Sequence, residues 1–180
     1  MNPEKIIEIA FFPSNIFIIF GIIAIAYLMN DYYAYNNIMT LLTSTFVFII
    51  STLLLKKRIQ DENYLHFSVA LIALFTFFLA SYILPVSFKL FYAATSVFLL
   101  SITVFLIRIK WKISTHTASF ISASTMLSII DIKFLFLFLL APVIMWSRIK
   151  RKVHNFKQVL VGALVGFSVP IILGIIIVVK

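Results

Sequence analysis

The chain has no cysteine, only four glycines and five prolines in 180 residues, and six carboxylates against fifteen lysines and arginines. Without cysteine there are no disulfides, thiolate metal sites or cysteine nucleophiles, and the redox compartment stays open. So little glycine and proline argues against low-complexity linkers or a loop-rich chain. Charged residues make up 12%, where soluble domains carry roughly a quarter. Hydrophobic residues make up 63%, and the mean hydropathy is +1.13. These values exclude a water-soluble globular domain.

What is present is a series of apolar runs. A helix of about 17 to 25 residues crosses a hydrocarbon core roughly 30 Å thick. The expected fold is therefore an all-α polytopic transmembrane bundle of six to seven spans, read as seven. They run from Phe11 to Met29, Ile38 to Leu55, Phe67 to Leu84, Phe88 to Ile107, Ser114 to Ile130, Phe134 to Trp146 and Val159 to Val179. Helices are required because an open strand edge leaves backbone groups unpaired in lipid. Pro85-Val86-Ser87 and Asp131-Ile132-Lys133 make short hairpin turns, so the helices flanking each are expected to be antiparallel neighbours. Gly162 and Gly166 form a small-xxx-small pair that marks close helix packing. The small-x-small Ala24-Ile25-Ala26 resembles a signal cleavage site, but Glu4 and Glu8 spoil the basic leader, so an uncleaved first span is expected. Residues 1–180 read as one integral membrane domain.

The net charge of +9 would point to nucleic acid in a soluble protein. Here the cations sit in short loops, where topology and lipid headgroups account for them, and no nucleic-acid partner is expected. One face collects Lys5, Lys56, Lys57, Arg58, Arg108, Lys110, Lys112, Arg148, Lys150, Arg151, Lys152 and Lys157; the other has Lys89, Lys133 and Lys180. This asymmetry predicts a multi-pass protein with its N-terminus and basic loops in the cytoplasm and its C-terminus outside. Tyr32, Tyr33 and Tyr35, with Trp111 and Trp146, fit an interfacial aromatic belt.

Chemistry concentrates on the basic face. Ser114 and His116 open the fifth span, Ser147 and Arg148 close the sixth, and His154 precedes the seventh. Two imidazoles and an arginine at a membrane surface suit phosphoryl transfer. One histidine attacks phosphorus, the other protonates the leaving oxygen, and cations hold the equatorial oxygens. The planar guanidinium of arginine can bind two phosphate oxygens at once, and the start of the fifth helix adds amide donors near Ser114. The histidines have no clustered carboxylates, so neither a metal nor another cofactor is expected.

These residues resemble the type 2 phosphatidic acid phosphatases, whose core is shared with vanadium haloperoxidases. The family's last motif is SRxxxxxHxxxD; Ser147, Arg148 and His154 match it in residue and spacing, with Gln158 at the Asp position. Its middle motif is PSGH, against Ile113-Ser114-Thr115-His116 here. The resemblance covers Lys110 to Gly166, within a phosphatase-like region of residues 108–170. It implies that His154 becomes phosphohistidine, that His116 is the general acid, and that Arg148 and Ser114 hold the phosphate. The middle motif matches at two of its four positions, with Ile113 and Thr115 in place of Pro and Gly, and two further departures stand in the other motifs. The first motif, KxxxxxxRP, is absent, and Arg108, Lys110 and Lys112 stand as substitute cations, with Lys56, Lys57 and Arg58 as a second source. At Gln158 a glutamine oxygen can accept the imidazole N–H one turn away but carries no charge; Asp61 or Glu62 could supply an acid instead, and His66 lies near them. Asp131 falls on the opposite face and is excluded.

The expected function is hydrolysis of a lipid phosphomonoester or diphosphate, phosphatidate or a polyprenyl diphosphate, with a membrane lipid as substrate. The alternatives are a non-catalytic phospholipid-binding protein of the same fold and a small transporter. The hydroxyl-rich run Ser114, Thr115, Thr117, Ser119, Ser122, Ser124, Thr125 and Ser128 could line a polar path, but helix packing and bonding back to carbonyls account for it more simply.

Overall fold

The computed structural model describes residues 32–59 and 61–178, without the side chains of Glu62, Asn63, His66 and Val178. The expected first span and the Ala24-Ile25-Ala26 motif lie outside the described residues, as do the side chains of Glu62 and His66. All regular structure among the described residues is helical. It comprises α1 (Ala34–Leu55), α2 (Glu62–Ile83), α3 (Phe88–Lys110), α4 (Thr115–Ile130), a 3₁₀ segment (Ile132–Leu140), α5 (Ala141–Lys150) and α6 (Phe156–Val178).

Four of these stretches are long and apolar enough to cross a membrane: Ala34–Leu55, Phe88–Lys110, Ile132–Lys150 and Phe156–Ile177. Phe67–Ile83 is a shorter apolar helix. Large apolar side chains such as Leu53, Phe75, Leu139 and Ile175 remain exposed, a surface suited to lipid. The sequence led us to expect six spans over this region, and two fall short. In α4 the reason is length, since its 16 residues rise only about 24 Å. It is also enclosed, every residue from His116 to Leu127 being buried. Enclosure explains how a helix with so many hydroxyls is tolerated. Thr125 and Ser128 donate to the carbonyls of Ile121 and Ser124, each at 2.8 Å.

The expected sixth span, Phe134 to Trp146, is not one regular helix. Pro142 sits at the start of α5 and has no N–H for the Phe138 carbonyl, which accepts from Ala141 three residues on. That i→i+3 bond ends the tighter 3₁₀ winding of the segment before it.

The described residues fall into two compact units, 32–105 and 106–178. In the first, α2 and α3 are antiparallel across the Pro85-Val86-Ser87 turn. Phe67 stacks on Phe105 at 3.9 Å, and Phe78 meets Phe91 and Phe98 edge-on. The start of α1 is fastened to that turn. Asn37, fully buried, accepts from the Ser87 N–H at 2.9 Å and donates to the Ser87 hydroxyl, and Asn36 donates to the Pro85 carbonyl.

In the second unit α4 lies against α6 and against the returning 3₁₀ segment and α5. A Cβ at Gly162 would stand 2.7 Å from the Ser114 carbonyl oxygen, and one at Gly166 would overlap the carbonyl of Ala118. The glycine pair read from the sequence is therefore a backbone-to-backbone seam. Because α4, α5 and α6 alternate in direction, the start of α4, the end of α5 and the start of α6 come to one end of this unit.

Candidate functional site

Three chain segments build the site at that end. The first is the start of α4, where Ser114 is the N-cap and shares a 3.0 Å hydrogen bond with the Thr117 hydroxyl. Its N–H donates to the Gln158 carbonyl at 3.2 Å, which ties α4 to the first turn of α6. His116 follows within the first turn, 8% exposed.

The second segment is the end of α5. Ser147 and Arg148 are both buried, and Ser147 Oγ makes no hydrogen bond among the described residues. Beyond Arg151 the chain reverses through Lys152, at a φ of 55°. Such left-handed backbone is the usual helix ending, ordinarily given to glycine. The turn is closed by Arg151 N–H to Ser147, Lys152 N–H to Ile149 and His154 N–H to Arg148, all donating to carbonyls.

The third segment begins α6 with a reciprocal cap. Asn155 Oδ1 accepts from the Gln158 N–H at 2.9 Å, and Gln158 Oε1 accepts from the Asn155 N–H at 3.1 Å. The same Oε1 also accepts from His154 Nδ1 at 3.3 Å. One glutamine oxygen therefore fixes both the helix start and the imidazole. With the proton on Nδ1, the His154 lone pair is on Nε2.

Electrostatically the cluster is cationic. Burial pushes the His154 imidazole down from its ordinary 6.5 to about 4. The Gln158 hydrogen bond opposes that, and the charges of Arg148, Lys112 and Arg108 add to it. His154 is thus neutral at pH 7. Arg148, His154 and Arg108 are within electrostatic reach of His116. The one carboxylate among the described residues of this unit, Asp131, caps the 3₁₀ segment through the Lys133 N–H at the far end of α4. Among the described residues no three His, Asp or Glu side chains gather as metal ligands do.

No protein-family model, characterised protein or solved structure matches the chain.

Of the residues singled out from sequence, the structure brings together His154, Gln158, His116, Arg148, Arg108 and Lys112. Ser114 is at the site through its backbone, while its fully buried hydroxyl is engaged by Thr117. Lys110 stays exposed on the last turn of α3. Lys56, Lys57 and Arg58 are exposed in the other unit. Asp61, offered as a substitute acid, caps α2 by accepting from the Tyr64 N–H. Lys150 lies 6.0 Å from the Trp146 ring centroid, a cation–π contact at the surface. Sequence reading passed over Asn155. The signal was there, since Asn155-Phe156-Lys157-Gln158 has the spacing of a capping box before an apolar run.

Proposed function

We propose that the protein is an integral membrane phosphatase acting on a lipid phosphomonoester or diphosphate. The observation that carries this reading is the neutral, Nδ1-anchored imidazole of His154 within reach of Arg148, at the end of the unit that also holds His116. His154 Nε2 attacks phosphorus and the P–O bond to the lipid breaks. The leaving oxygen takes a proton from His116, which then removes a proton from water as it opens the phosphohistidine. Inorganic phosphate leaves and both imidazoles are restored. Arg148, Arg108 and Lys112 stabilise the negative charge on the equatorial oxygens. The chain's own charges near His116 are positive. A bound phosphate reverses that field, so the substrate itself favours the protonated His116 that the first step needs. In this reading α4 crosses as a protein-enclosed helix, and the basic loops face the cytoplasm.

A second reading, a non-catalytic phospholipid-binding protein, is favoured by the capping box, which accounts for Gln158 without any chemistry. One experiment separates the two. Purified protein in detergent with EDTA is assayed for phosphate release from phosphatidate, lysophosphatidate and polyprenyl diphosphates. The phosphatase reading expects release that His154→Ala abolishes. Lipid binding with no release above that variant would overturn it in favour of the second.

A further inference from the structure

The backbone of Ser114 is gripped from both sides by α6. Its N–H donates to the Gln158 carbonyl at 3.2 Å, and its own carbonyl oxygen lies against the bare Cα of Gly162, where a Cβ would stand only 2.7 Å away. His116 is two residues beyond Ser114, and Gln158, one turn before Gly162, holds the His154 ring. We infer that Gly162 is a positioning residue for the two imidazoles: by admitting the Ser114 carbonyl it sets the start of α4, and with it His116, at a fixed place relative to His154 and Arg148.

The contact is backbone against α-carbon, so no flexible side chain can yield to an added methyl. The start of α4 must move, and Lys112, two residues before Ser114, moves with it. Gly166 provides a control on the same seam. It makes the corresponding approach to Ala118, one turn farther from the site. Gly166→Ala damages the same helix pair without pressing on Ser114.

The kinetic consequence rests on the phosphatase reading; the electrostatic consequence does not. His154 is surrounded by Arg148 from α5, Arg108 and Lys112 from the end of α3 and beyond, His116 from α4, and the Gln158 side chain from α6. Displacing the start of α4 admits water and withdraws Lys112, and both changes ease protonation of His154.

The chain has three histidines, so the full protein with isotope-labelled imidazoles gives three sets of ring signals by NMR, assigned with single His→Gln variants, and the His154 set is followed with pH. In the wild type, where burial pushes it down, His154 is expected to titrate at about 4. Gly162→Ala is expected to move that midpoint up toward 6.5 and to lower kcat on the order of ten- to a hundredfold, with KM changed less. Gly166→Ala is expected to lower the Tm while leaving the His154 titration, and kcat per folded molecule, as in the wild type. A folded Gly162→Ala protein with the wild-type titration overturns the inference, and so does an equal shift in Gly166→Ala. Should the wild type release no phosphate, the phosphatase reading fails and the titrations still decide. Should Gly162→Ala not fold, amide exchange in the wild type decides. Ser114 N–H exchanging as slowly as interior α6 amides supports the grip, and exchange at loop rates overturns it.

Discussion

Residues 32–105 are held together by aromatic rings and one buried asparagine, residues 106–178 by glycines that let two backbones touch. In lipid there is little hydrophobic force between helices, so association depends on packing and on polar contacts across them. The first unit meets that need with bulk. The Phe67–Phe105 stack and the Phe78 cluster fill the space between α2 and α3, and Asn37 bonds the Ser87 backbone and hydroxyl at the turn. The second does it with closeness. Gly162 and Gly166 draw α6 onto the carbonyls of α4, and the polar atoms of the first turns are then shared between helices. With the first device the polar groups gathered at the turn, Asn36, Asn37 and Ser87, bond one another and the backbone. The second leaves imidazoles and an arginine half-buried or buried at a helix end, where an anion can use them.

The largest effect that would break this contrast is on turnover. His154→Ala should reduce phosphate release to background, whereas Asn37→Ala should leave kcat per folded molecule unchanged. Comparable rate losses in both would mean that the units do not divide structure from chemistry as argued. Next in size is the cost of the asparagine itself. Asn37→Ala strips a buried backbone N–H of its acceptor and should destabilise by about 1–3 kcal/mol, read as a lower unfolding midpoint in detergent.

The pH dependence sharpens the comparison further. His154 has a depressed folded value, so the stability tied to it is fully present above 6.5 and is lost as pH falls from 6.5 to about 4. In the same way the acid limb of the rate profile should lie near pH 4 rather than near 6.5. Lys112→Met should move that limb upward, because it removes one of the charges opposing protonation; an unmoved limb would put Lys112 outside the site. The smallest effect concerns the α5–α6 turn. Lys152→Gly relieves a side chain from left-handed backbone and should stabilise by up to about 1 kcal/mol, measurable as a raised Tm with unchanged KM.

Much of the helical order was legible from local pattern. The Pro85-Val86-Ser87 turn, the antiparallel pair around it and the tight seam at Gly162 and Gly166 follow from residues whose physical effect is short in range. The 3₁₀ winding before Pro142 is legible in principle, because the missing N–H is local, but the apolar run is continuous through it and hides the change of winding. Asn37 and Ser87 were not legible, as two small polar residues 50 positions apart carry no mark of pairing. At the site, His154 and Gln158 sit one helical turn apart, so their contact could be read from spacing. The burial of Arg148 and the engagement of Ser114 by Thr117 could not.

By itself the sequence determined the solvent and the secondary structure. A chain this apolar and this poor in charge belongs among lipids, and in lipid its backbone must satisfy itself within helices. It also determined which side chains could do chemistry, since three histidines, fifteen lysines and arginines and no cysteine are present. Tertiary structure decided which of those cations meet the imidazoles. It also decided that one glutamine serves through both its oxygens, Oε1 to Asn155 and His154 and the carbonyl to Ser114. The physical reason is range: hydropathy and capping act within a turn or two, whereas the site is made where residues from 108 to 158 converge, and that depends on how closely α4 and α6 can approach.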